Sequence, residues 1–262
     1  MSSLFRDMGK SLRHPAFWAL ASWLDVVVKY RQSRLGVLWL LAPALVYTYG
    51  LGSFFATMMG MSIRNFAGYV AVGWLVFRVL QSVIIESTSA FPSAASFILD
   101  GHVRLTDFVL QVAAKAMFYF LTSLPVAAFA LAMHPDLQFG GVLLAFLSLP
   151  LILINALWIG VVFSLIGARF PDLNQFIGNV FMFAFLFTPI IWHADTVPAG
   201  SIRGALMRFN PLFHMVEVVR APMLGDVVEV STLYYLGIMT VCGWIAAALA
   251  YRRYARFVPI WI

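Results

Sequence analysis

The chain has 262 residues, of which 62% are hydrophobic and only 11% charged, with a mean hydropathy of +0.91. Soluble domains carry roughly 25% charged residues, so the composition excludes an ordinary water-soluble enzyme and reads as an integral membrane protein. The net charge of +6 does not imply nucleic acid, because Lys and Arg cluster at the ends of apolar runs, where anionic lipid accounts for them.

The length suits a single all-α transmembrane domain over 1–262 with six spans, leaving no room for a separate soluble catalytic domain. Residues 1–34 are expected to form a cytoplasmic N-terminus and an amphipathic interface helix, 35–251 the bundle, and 252–262 a cytoplasmic tail. The first fifteen residues are polar and basic, and no cleavable leader is expected. From Phe17 to Val28, apolar residues recur at helical spacing opposite Ser22, Asp25, Lys29 and Gln32, which predicts a helix in the membrane interface. It ends in the basic run Lys29, Arg31 and Arg34, followed by Leu35-Gly36.

The first span is expected in the uncharged stretch Leu35–Ile63, which carries Tyr47, Tyr49, Phe54 and Phe55. The second, about Phe66–Ser89, contains Trp74 and two ionisable residues, Arg78 and Glu86. With Ser82 and Ser89 they fall on one stripe of the helix, yet Arg78 and Glu86 lie about 12 Å apart along the axis, so each needs a partner elsewhere. Charges at that depth serve either a channel or the joining of helices. A loop from Phe91 to Asp107 holds a short helical segment, Ser93–Leu99, closed by Asp100. Phe108–Met133 is the third span, with Lys115 free to snorkel to the nearer surface, and Leu137–Ala168 the fourth.

A fifth span leads into Thr188-Pro189, and Val230–Tyr251 is the sixth. Between them, Phe187 closes an aromatic-rich run, and Asn210, Pro211, Glu217, Arg220 and Pro222 punctuate a greasy segment too short to cross a bilayer. Such a segment reads as a broken re-entrant hairpin lining a pathway, or as an amphipathic surface helix. His193 and Asp195 read as solvated loop residues. No phosphate-binding loop, zinc-protease helix or nucleophile elbow is present, and the five histidines are scattered, so neither catalysis nor a metal is expected of this chain.

The distribution of Lys and Arg orients the chain with the N-terminus inside. Arg6, Lys10, Arg13, Lys29, Arg31, Arg34, Arg104, Arg169, Arg252, Arg253 and Arg256, eleven in all, fall on the inner face. Arg64, Arg203, Arg208 and Arg220, four in all, fall on the outer face, which puts both termini in the cytoplasm.

Five stretches in the same order carry a family likeness: Tyr30–Trp39, Ala168–Leu173, Thr188–Trp192, Asn210–Gly225 and Pro259–Ile262. The chain resembles the permease subunit of type-2 ABC exporters for polysaccharides, in particular the O-antigen branch, in the bacterial inner membrane. The resemblance implies two copies forming a channel above two separate ATPase subunits, which bind ATP and Mg; this chain binds no cofactor itself. It implies further that Phe17–Arg34 is the interface helix, Leu35-Gly36 the access loop, Ser93–Leu99 the coupling helix and Pro198–Gly225 the outer gate. The cargo would be a lipid-linked glycan, whose diphosphate Lys29, Arg31 and Arg34 can bind; the alternative is headgroup anchoring. Tyr47, Tyr49, Phe54, Phe55, Trp74 and Phe187 can offer flat faces to sugar rings in the channel, or pack as core and belt. Teichoic acid or a capsular polymer is the alternative cargo, and a membrane-embedded transferase or a passive channel the alternative class.

Overall fold

A computed structural model describes residues 3–198 and 200–262. Among the described residues all regular structure is helical. Two short helices lead the chain, α1 (Leu4–Arg13) and α2 (Ala16–Tyr30). The first candidate span, Gly36–Met58, is helical throughout but irregular. It starts as a 3-10 turn, becomes α3 (Leu41–Leu45), widens into a π turn over Val46–Leu51 and ends as α4 (Gly52–Met58). Pro43 has no N–H to give the carbonyl four residues back, which favours the tight turns before it. Gly36, with φ +52, breaks the path between α2 and this span.

Four more helices are long and apolar enough to cross a membrane: α5 (Ile63–Ser93), α7 (Leu105–Ala132), α8 (Phe139–Arg169) and α12, which begins at Val230 and runs to Tyr254. Between α5 and α7 sits α6 (Ala95–Leu99). The expected fifth span is α9 (Leu173–Phe187), whose 15 residues fall short of the roughly 20 a span needs. Two short helices follow it, α10 (Ile202–Phe209) and α11 (Pro211–Met223). The last element, α13 (Val258–Trp261), folds back beside α8.

Helix α5 is the centre of the bundle. Its apolar window is 83% buried, against 17% for the span that begins at Val230, because α7, α8, α9 and α11 all pack on it. Close approach is achieved with glycine: a Cβ at Gly167 would overlap the Thr88 backbone of α5, and one at Gly243 would overlap the Trp158 ring. Apolar side chains left outside, such as Leu143, Leu147, Ile238 and Ile245, suit contact with lipid.

The N-terminal residues are not the polar tail that their composition suggests. Leu4, Met8 and Ser11, spaced at three and four, form the buried face of α1. Ser11 bonds Thr106 at 2.7 Å, Phe5 stacks on Trp244, and the Tyr251 hydroxyl donates to Asp7 at 3.2 Å. The two ends of the chain therefore lie at the same end of the bundle.

Candidate functional site

Helix α2 is amphipathic and packs lengthwise on α7, in the same direction. Phe17 meets Phe108, Asp25 meets Gln111 and Lys115, Trp23 meets Phe118, and Val26 packs with Tyr119. Tyr119 is the fifteenth of the 28 residues of α7, so α2 delivers Tyr30 and the basic run after it half-way along a candidate span. There Lys29, Arg31 and Arg34 are exposed, as is Leu35, and Gly36 makes the turn. None of the three cations has an ion-pair partner among the described residues.

Lys115 does not snorkel. Its ammonium lies 2.6 Å from Glu86 of α5 and 3.3 Å from Asp25 of α2, and Gln111 donates to the same Asp25 oxygen at 3.0 Å. Pairing wins over reaching for water because two carboxylates sit within its radius. This clasp supplies the partner that Glu86 needs. Next to it opens a cleft of about 560 Å³ lined by Phe17, Asp25, Glu86, Ser89, Phe97 and Lys115, among others. Ser82 is 5% exposed, and its hydroxyl donates to the Val79 carbonyl at 3.0 Å.

Ser93 ends α5 rather than starting the short helix after it, and Asp100 closes that helix. Phe97 and Leu99 point outward while Ile98 is buried among α5 and α7 residues, so only the first two can meet a partner. Phe97 also touches Phe17, at 5.9 Å between ring centroids, which links α6 to α2.

The aromatic set divides. Tyr47 stacks on Trp74 at 3.6 Å, and Phe185 closes on both edge-on, which makes Trp74 a core residue at 5% exposure. Tyr49 and Phe55 are half-buried against the core, and Phe54 and Phe187 are exposed.

At the opposite end, α11 is locked in place by its own polar residues. Asn210 caps it, accepting from the Leu212 N–H at 3.0 Å, and Pro211 fills the first turn. The Asn210 amide also donates to Thr188 at 3.0 Å, fixing the end of α9. Arg220, expected on the outer surface, is buried at 1% exposure. Its guanidinium pairs with Glu217 at 2.6 Å, donates to the Pro189 carbonyl at 2.5 Å and stacks over Tyr69 at 3.7 Å. Ionic, polar and ring contacts together offset the cost of taking the charge out of water. His193 is likewise no solvated loop residue: it is half-buried with its ring 4.0 Å from Tyr69, although Asp195 is exposed. Pro222 lies inside α11, its carbonyl occupying the space that a Cβ on Gly141 would need. A polar pocket of about 400 Å³ sits beside this lock, lined by Tyr69, Asp195, Arg208, Glu217, Asp226 and Glu229 among others.

His214 is buried, with Nε2 2.6 Å from the Arg208 carbonyl and Nδ1 2.9 Å from the Thr232 hydroxyl. The carbonyl only accepts, so Nε2 carries the proton and Nδ1 accepts from Thr232. Burial pushes the imidazoles of His214 and His193 below their ordinary value of 6.5, with the Arg220 charge adding at His193. A depressed folded pKa stabilises the protein above the unfolded value and loses that contribution as pH falls through the folded one. The melting temperature of the purified protein should therefore drop as pH falls below about 6.5. His214→Gln should flatten that part of the profile; an unchanged profile would assign the titration to other groups.

The family model described as ABC-2 type transporter matches residues 16–224, which covers α2, the spans up to α8, α9 and the lock around α11. The chain belongs to the ABC-2 type transporter family. This ABC-2 chain is 26% identical over 230 residues to the O-antigen export system permease protein RfbA of Klebsiella pneumoniae, covering 84% of this chain and 86% of that one. It is 23% identical to the protein of the same name from Myxococcus xanthus, over 75% and 76% of the two chains. It is 22% identical to the polysialic acid transport protein KpsM of Escherichia coli, over 87% and 89%. Within the ABC-2 chain, two features had no sequence signal pairing them: Lys115 with two carboxylates from different helices, and Arg220 with Tyr69.

Proposed function

We propose that this chain is the permease of an ATP-driven exporter that carries a lipid-linked polysaccharide, with O-antigen as its cargo, across the bacterial inner membrane. The observation that carries the reading is the break between α2 and the first span. There Lys29, Arg31 and Arg34 stand exposed and without carboxylate partners among the described residues, placed to receive a diphosphate. The names and coverage of the relatives support polysaccharide as the cargo class.

Helix α9 makes the fifth crossing, and the locked pair α10 and α11 forms the outer gate, with Asn210, Pro211, Glu217, Arg220 and Pro222 holding it. The chain works as a homodimer, and exposed Phe54 and Phe187 face the second copy or the pathway. A separate ATPase subunit binds ATP and Mg and pushes on Phe97 and Leu99. Both termini are cytoplasmic, in keeping with their position at one end of the bundle and the basic residues found there.

Arg31→Gln combined with Arg34→Gln should lower surface polymer by about 100-fold or more, since two charge-assisted phosphate contacts are lost. Membrane level and ATPase co-purification should stay as in the wild type; undiminished export would remove the assignment. The likeness to the polysialic acid transporter supports a second cargo, a capsular polymer. The lipid-linked polymer that accumulates inside cells lacking this protein identifies which one it carries.

A further inference from the structure

Arg78 is the sixteenth of the 31 residues of α5, with fifteen on either side. A cation at that depth is costly unless it is paired or meets water or a ligand. Its only hydrogen bond among the described residues runs from Nη1 to the Gln81 Oε1 at 3.1 Å, a neutral partner one turn away. None of the described carboxylates forms an ion pair with it. Glu86 on the same stripe and Asp25 of α2 are already committed, Glu86 to Lys115 at 2.6 Å and Asp25 to Lys115 and Gln111. One cation holds two carboxylates, and the other, two turns further into the span, holds none.

The surroundings of Arg78 are those of a binding site. It is half-buried rather than sealed in the core. Two phenols that pack in one cluster, Tyr30 at the end of α2 and Tyr119 in the middle of α7, lie within reach of its charge and of that of Glu86. Neither hydroxyl is engaged in a hydrogen bond with the described residues, so both remain free to donate. Tyr30 directly precedes Arg31 of the basic break, and Arg78 lies at the midpoint of the most buried candidate span.

We infer that Arg78, Gln81 and the hydroxyls of Tyr30 and Tyr119 form a second phosphate site, which receives the phosphate of a membrane-anchored molecule after it passes Lys29, Arg31 and Arg34. The guanidinium fork matches two phosphate oxygens, and the phenols and the Gln81 amide supply further donors. The phosphate chemistry follows from Arg78 and its neighbours; only the identity of the carrier as a glycan lipid rests on the export reading. The same chemistry fits an anionic phospholipid headgroup.

The test uses the full ATPase-bound complex in nanodiscs of phosphatidylcholine, titrated separately with polyprenyl diphosphate and with phosphatidylglycerol. Arg78→Gln should weaken polyprenyl diphosphate binding by at least about tenfold, with an unchanged melting temperature. A loss confined to phosphatidylglycerol supports the phosphate site and identifies its occupant as a lipid headgroup. Wild-type affinity of Arg78→Gln for both probes overturns the inference, and leaves the export reading standing if the wild-type complex, reconstituted in sealed vesicles, moves polymer. A wild-type complex that moves none overturns the export reading, whatever Arg78 binds. If Arg78→Gln does not assemble, Tyr30→Phe with Tyr119→Phe keeps the bulk and removes both hydroxyls. That pair should weaken binding about fivefold, and unchanged affinity overturns the site.

Discussion

Glu217→Ala should destabilise the protein by about 3–5 kcal/mol, the cost of stranding a buried charge. Arg220 is 1% exposed, so its guanidinium has no water to turn to once the carboxylate at 2.6 Å is gone. The Pro189 carbonyl and the Tyr69 ring remain, but both are neutral partners. For a chain of this size the thermal midpoint should fall by on the order of 10 °C. Glu217→Leu with Arg220→Met removes both charges and should recover most of the loss, because apolar replacements of similar volume fill the site without stranded polarity. A melting temperature for Glu217→Ala within a degree of the wild type would show that the pair does not hold the outer end together.

Gly141→Leu should have the next largest effect, at the junction between α8 and α11. Even an alanine Cβ there would overlap the Pro222 carbonyl, which is backbone and cannot rotate away. The neighbouring hydrogen bond from the Gln138 N–H to the Met223 carbonyl, 3.1 Å, fixes the two segments from the other side. Replacing a helical glycine by alanine ordinarily gains up to about 1 kcal/mol of helix propensity. Overpacking costs about 1–3 kcal/mol, so the alanine change is expected to be a net loss and leucine a larger one. The measurement is thermal unfolding of the purified protein together with surface polymer in cells. Wild-type stability of Gly141→Leu would mean that α11 is free to move away from α8.

Much of this architecture was legible in the chain because a bilayer imposes length and composition on whatever crosses it. The long apolar runs marked α7, α8 and the last span, and Asn210-Pro211 marked the start of α11 by a capping side chain and a residue that needs no N–H partner. The basic run at Lys29–Arg34 was equally plain, since the first span that follows it carries no charge. The short helix α1 was hidden by its composition: only Leu4 and Met8 show its apolar face, too few for a pattern to stand out. The aromatic candidates show the same limit. Trp74 and Phe54 are alike as letters, yet one is stacked in the core and the other points out of the bundle.

By itself the sequence determined that the protein is a helical membrane bundle and where its chain breaks, because these follow from local hydropathy. Only the tertiary structure decided which charges meet. Lys115 reaches Glu86 and Asp25 from three separate helices, Arg220 turns inward onto Tyr69, and Arg78 is left without a carboxylate. Ion pairing depends on distances between segments far apart along the chain, and those distances exist only once the helices have packed.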